Sequence, residues 1–71
     1  MDKSMIKEIV HKGEPFTVKT SDGETHEVPH TDFIAIGSDN DDTIVIYKKT
    51  GGLEIIDIFN ITSLEVTKKT A

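Results

Sequence analysis

The sequence predicts a mainly β, α+β fold: a short N-terminal helix followed by about five antiparallel strands in a strongly bent sheet or a small barrel. Three observations carry this reading. From Thr43 to Val66 the chain runs TIVIYKKTGGLEIIDIFNITSLEV, with about half of its β-branched and aromatic residues gathered into short runs between turn residues. Ahead of it, Phe16 and Val18 alternate with Thr17 and Lys19, and Ser21-Asp22-Gly23 follows as a tight turn. Before both, Met5, Ile6, Ile9 and Val10 recur at helical spacing.

Asp2 or Ser4 is suited to cap that helix, expected over residues 3–12, and Gly13 to stop it. Lys3, Lys7, Glu8 and His11 then face water, and a helix this short needs an apolar surface beneath its stripe. Pro15 opens a first strand, 15–20, which the turn returns as a second, 24–28. The second is polar, carries His26 and breaks at Pro29, which has no N–H to give a ladder. His30-Thr31-Asp32 reads as a corner. Phe33-Ile34-Ala35-Ile36-Gly37 is apolar at successive positions, so a strand over 33–37 is expected to be covered on both faces, by the core and by the helix.

Ser38-Asp39-Asn40-Asp41-Asp42 is an acidic turn. A strand over 43–48 and a Gly51-Gly52 hairpin lead to a long strand over 53–59, whose Leu53, Ile55, Ile56, Ile58 and Phe59 fit neither face strictly. A corner at Asn60-Ile61-Thr62 precedes a last strand over 63–67 and a polar tail. The expectation is a single domain over residues 1–71.

Composition narrows the function classes. With three Phe, one Tyr and no Trp, the chain has material for one modest core, and such cores supply only about 3–5 kcal/mol of net stability. Cys is absent, which removes disulfides and thiolate metal sites and fits a reducing compartment. No apolar run reaches the roughly 20 residues of a membrane span, and MDKSMIKEIV lacks the uninterrupted apolar core of a signal peptide. A cytoplasmic protein is the expectation. The formal charge of -5 and the absence of Arg argue against a general nucleic-acid binder.

Two resemblances add to this. The motifs P-F-x-V-x-T-x-D-G at Pro15 to Gly23, V-P-H-x-D-F-I-A at Val28 to Ala35 and I-x-D-x-x-x-I-T-S-L-E-V at Ile55 to Val66 resemble a family of short uncharacterised bacterial proteins, over nearly the whole chain. That family implies no activity. The order of elements is also similar to the Sm-like fold of the Hfq family of bacterial RNA chaperones, and other SH3-like small barrels fit the strand count equally. The Hfq resemblance implies a ring built by pairing the last strand of one copy with the preceding strand of the next. It also implies an RNA site near the corner between those strands. Here that corner reads Asp57-Ile58-Phe59-Asn60, without the Lys-His pair of that family.

Few residues are candidates for chemistry. His26, Glu27 and His30 spell H-E-x-x-H, but the segment contains Pro29 and reads as strand. Residues four apart in a strand lie about 13 Å apart, so a metal site would need a bend that brings His26, His30 and Asp32 together, with His11 as a further donor. Solvated or hydrogen-bonded histidines are the simpler reading. Asp39-Asn40-Asp41-Asp42 lacks the Gly and the bidentate Glu of a calcium loop and reads as a solvated turn. No Cys and no Gly-flanked Ser elbow offers a nucleophile, and no glycine-rich loop offers a phosphate cradle.

The expectation is therefore a non-catalytic interaction or structural module that binds no cofactor and self-associates, or takes a protein partner, through strand edges. Its candidate surface is His30, Asp32, Leu53, Ile56, Ile58 and Phe59. An Sm-like RNA binder using Lys48, Lys49, Lys68 and Lys69 is the alternative, and a metal protein using His26, His30 and Asp32 the second.

Overall fold

The computed structural model describes residues 1–38 and 40–67. Asp39 of the acidic turn, Lys68 and Lys69 of the lysine patch and the rest of the tail lie outside the described residues.

The helix, α1, spans Lys3–Lys12. Its ends are set as the sequence requires: the Asp2 carboxylate accepts from the Ser4 N–H at 3.1 Å, and Gly13 ends the helix at φ 74°, where a side chain would be strained. Ile6 is completely buried, Ile9 and Val10 pack beside it, and Met5, expected on the same stripe, is exposed. The amino group of Met1 donates to the Ile58 carbonyl at 3.1 Å. Lys3 Nζ reaches the carbonyls of Ser38 and Asp41. No described helix is long and apolar enough to cross a membrane.

Six antiparallel strands follow, in two three-stranded sheets. They are β1 (Phe16–Thr20), β2 (Thr25–Val28), β3 (Ile34–Ile36), β4 (Thr43–Tyr47), β5 (Leu53–Asp57) and β6 (Ile61–Val66). The orders are β2-β1-β6 and β3-β4-β5. The chain passes between the sheets at two corners, each a single 3-10 turn: Thr31–Phe33 after Pro29, and Ile58–Asn60. Phe16, Val18, Val28 and Ile61 from one sheet meet Ile34, Ile44, Ile46 and Ile56 from the other, with Ile6 and Ile58, in one core.

The small barrel is not closed: among the described residues each sheet keeps two edges, and no strand of one is hydrogen-bonded into the other. The strand expected over 53–59 ends at Asp57, because the Asp57 carboxylate accepts the Phe59 N–H at 3.0 Å and caps the turn Ile58–Asn60. That turn breaks the alternation, sending Ile58 into the core and Phe59 to solvent. The corner expected at residues 60–62 is thereby displaced, and the last strand begins at Ile61 and ends at Val66.

The strand expected over 33–37 is only Ile34–Ile36, and Phe33 belongs to the first 3-10 turn. It is covered on one face, not two: Ile34 is buried and Ala35 exposed. The helix serves the common core through Ile6, so it leaves the outer face of β3 bare.

Truncating Ile6 or Ile44, both fully buried, to Ala is expected to cost about 2–5 kcal/mol, most of what a core this small supplies. Ile55→Ala, at an exposed position, is expected to stay within about 0.5 kcal/mol of the parent when both are measured as dilute protein. Urea titrations followed by circular dichroism read both, and a silent Ile6→Ala would show that α1 is not part of the core.

Candidate functional site: the β4–β5 hairpin

The hairpin turns at Lys48 to Gly52, where Gly51 and Gly52 both take positive φ (98° and 84°) and the Lys48 N–H donates to the Gly52 carbonyl at 3.0 Å. At its other end the Ile58 N–H donates to the Asp42 carbonyl at 2.8 Å. Antiparallel neighbours alternate between hydrogen-bonded and non-hydrogen-bonded pairs. Counting inward from either end, Ile46↔Glu54 and Ile44↔Ile56 are the bonded pairs, while Tyr47↔Leu53, Val45↔Ile55 and Thr43↔Asp57 are not. Leu53 and Ile55 therefore direct both their N–H and C=O away from β4, as Asp57 does its N–H. Among the described residues no strand lies on that side, because β5 is the edge of its sheet.

The same residues carry the outward side chains. Ile44, Ile46 and Ile56 fill the inner face of the hairpin, so the opposite parity, Val45, Tyr47, Leu53 and Ile55, faces out. Ala35, Val45 and Ile55 form one cross-strand row, and Tyr47 and Leu53 form the next. Ile55 is 68% exposed, Leu53 49% and Tyr47 44%. Beyond the end of β5, Phe59 projects from the second 3-10 turn at 72% exposure. The result is an apolar outer face bordered by a bare strand edge.

The inner side of the hairpin tip is polar. Glu54 is opposite inward Ile46 in β4, and His26 is opposite inward Val18 in the other sheet, so both point into the seam between the sheets. A cleft of about 260 Å³ opens there among Thr25, His26, Glu27, Ile46, Lys48 and Glu54. A second, of about 230 Å³, lies past His26 and Glu54 along the β5 edge from Ile55 to Asp57, with Asp22 and Glu24 of the first hairpin across from it. Both fall below the roughly 300–1,000 Å³ usual for small-molecule sites.

The seam is laced by Lys48 to Glu54 at 2.9 Å and by His26 to Glu24 at 3.6 Å. The hydrogen bond from Lys48, and then its charge, hold the Glu54 carboxyl below its ordinary range. The Thr20 hydroxyl, and then the Glu24 N–H, do the same for Asp22.

The residues named from sequence scatter. His30 and Asp32 are exposed on the first corner, the His30 ring tilted against Phe33 with centroids 6.2 Å apart. His26 points into the seam instead, and among the described residues no three His, Asp or Glu side chains are placed to hold a metal ion. The bend at Pro29 therefore does not gather His26, His30 and Asp32 into one site. Lys48 is taken by Glu54, which leaves Lys49 as the free cation of the hairpin tip in the described part of the lysine patch.

Of the apolar candidates, Leu53 and Phe59 are exposed, but Ile56 and Ile58 are core residues at 7% and 4% exposure, closed to a partner. Ile55 and Tyr47, the centre of the face, were missed. Alternation counted outward from Gly52 puts Leu53 and Ile55 on one side and Glu54 and Ile56 on the other, and that count identifies them. Comparison with protein-family models, with curated proteins and with solved structures finds no match for the chain.

Both lowered carboxyls contribute stability that is present above their unfolded values, 3.8 for Asp22 and 4.5 for Glu54, and is lost as pH falls through their lower folded values. Asp22→Asn and Glu54→Gln are each expected to flatten the acid side of a plot of melting temperature against pH. Added salt should shrink the Glu54 part, since Lys48 and Glu54 form a solvent-accessible ion pair.

Proposed function

We propose that the chain is a non-catalytic interaction module that accepts an added strand along the β5 edge, from a second copy of itself, and joins its apolar outer face edge to edge with that of the copy in doing so. The observation that carries the reading is Ile55. It is 68% exposed in the middle of an edge strand, with Leu53 and Tyr47 beside it and its backbone N–H and C=O turned outward.

Soluble proteins guard such edges with charge, proline, bulges or shortness, and the other edges here are guarded. Strand β2 carries Glu27 and runs into Pro29, β3 has three residues, and β6 presents Thr62, Ser63 and Glu65. Strand β5 ends in Asp57, but it turns Glu54 inward to Lys48 and presents only Leu53 and Ile55 along the outer face of its centre. Strand addition supplies main-chain hydrogen bonds for affinity and side-chain contacts for specificity. A catalytic reading has little to stand on: the polar seam is shallow, and it holds salt-bridged carboxylates rather than a nucleophile with a base.

Sedimentation equilibrium over a range of concentrations is expected to show a mass above the 7.9 kDa of one chain. Ile55→Lys should weaken that association by roughly 10- to 30-fold, about 1.4–2 kcal/mol, with the melting temperature of the dilute protein unchanged. A protein that stays monomeric at the highest concentration, or a lysine variant that associates like the parent, removes the basis of the proposal.

A further inference from the structure

From the hydrogen-bond phase of the edge we infer that two copies pair β5 against β5 antiparallel, with Ile55 on the two-fold axis, to make one six-stranded sheet β3-β4-β5-β5-β4-β3. The inference rests on the interaction reading above and specifies its partner and register.

Three features support it. The first is backbone phase. An antiparallel pair centred on Ile55 sets Leu53 of each copy against Asp57 of the other and Ile55 against Ile55. Those are the residues whose N–H groups already point outward, so the two Ile55–Ile55 bonds and the bond from each Asp57 N–H to the opposite Leu53 carbonyl fall where free donors and acceptors lie, while the Asp57 carbonyl stays in its own turn Ile58–Asn60. This register also overlaps all five residues of the strand, Leu53–Asp57, whereas a shift of two residues either way leaves only three.

The second is the face. Directly opposed residues in an antiparallel pair share a side of the sheet, so Ile55 meets Ile55 on the outer face with both Val45-Ala35 rows continuing from it. Leu53 and Tyr47 of each copy flank that centre. The exposed apolar surface of each copy becomes one contiguous strip across the new sheet. On the inner side Glu54 lies beside Ile56 of the second copy and keeps its own Lys48 at 2.9 Å.

The third is charge. The tip of the hairpin carries Lys48 and Lys49, and its base carries Asp57 with Asp41 and Asp42 on the neighbouring loop. Antiparallel pairing brings the basic tip of one copy beside the acidic base of the other. A parallel pairing would set tip on tip and base on base, like charge against like.

The chain has no Cys, so a single introduced thiol can link only to another copy. In a hydrogen-bonded antiparallel pair the opposed Cα atoms are about 5.5 Å apart, inside the roughly 4.4–6.8 Å range of disulfides. Under mild oxidation with diamide, Ile55→Cys is expected to give a covalent dimer. Leu53→Cys alone should not, because the two copies of position 53 are offset by four residues, about 13 Å. A mixture of Leu53→Cys and Asp57→Cys should form the mixed dimer.

A Leu53→Cys or Asp57→Cys protein that cross-links alone as readily as Ile55→Cys would overturn the register. Self-association without the Ile55→Cys link, or a mass that grows beyond two chains as in a head-to-tail contact of β5 with β6, would overturn the two-fold while leaving the interaction reading intact. A strict monomer would remove both.

Discussion

The constraint on which the rest depends is that one small core must be filled from both sheets and the helix. A strand beside such a core can commit only one parity of its side chains to it. Ile44, Ile46 and Ile56 are spent in this way, with Phe16, Val18 and Val28 opposite and Ile6 between the elements. The hairpin owns more apolar residues than one parity can use. Val45, Tyr47, Leu53 and Ile55 are left for the outside, where Val45 is half-buried between its neighbours and the other three stay exposed. The exposed face is thus a consequence of how the core is divided, and its position follows from the phase of the Gly51-Gly52 turn.

The same division accounts for the open seam. Two of the inward positions nearest the hairpin tips are His26 and Glu54, polar groups that lose hydration if the sheets close over them. Glu54 keeps Lys48 and His26 keeps Glu24, so the tips remain apart and wet where Val28 and Ile56, two residues further along the same strands, are packed. A ladder between the two sheets would bury these groups along with their partners.

What the sequence made legible was whatever is decided locally. Asp2 and Gly13 bound the helix by capping chemistry, and Ser21-Asp22-Gly23 and Gly51-Gly52 set the hairpins, because a few neighbouring residues suffice for each. The second corner was not legible in the same way. Asp57-Ile58-Phe59 continues a strand as readily as it caps a turn, and only the place of Ile58 in the core, with its carbonyl held by Met1, decides between them. Phe33 to Gly37 misled for a related reason. An apolar run implies two covered faces only if a second cover exists, and the one helix is already used on the core side. At the site, Ile56 and Ile58 looked equivalent to Leu53 and Phe59 until the pairing of β5 with β4 assigned their parities.

Net charge and edge chemistry act at different ranges. At -5 the chain repels its own copies at a distance, which disfavours indiscriminate contact between edges. Within a Debye length of about 8–10 Å at moderate salt, the local pattern is what a second copy meets, and on this hairpin the pattern is a basic tip, an apolar middle and an acidic base. Net repulsion with a self-complementary patch favours one arrangement over many, since only an antiparallel approach sets tip against base while joining the two apolar middles. An edge strand that aggregated without limit would need the opposite design, low net charge and a flat face that accepts any register. A short strand of five residues, closed by the Gly51-Gly52 turn at one end and by Asp57 and the turn Ile58–Asn60 at the other, accepts few registers.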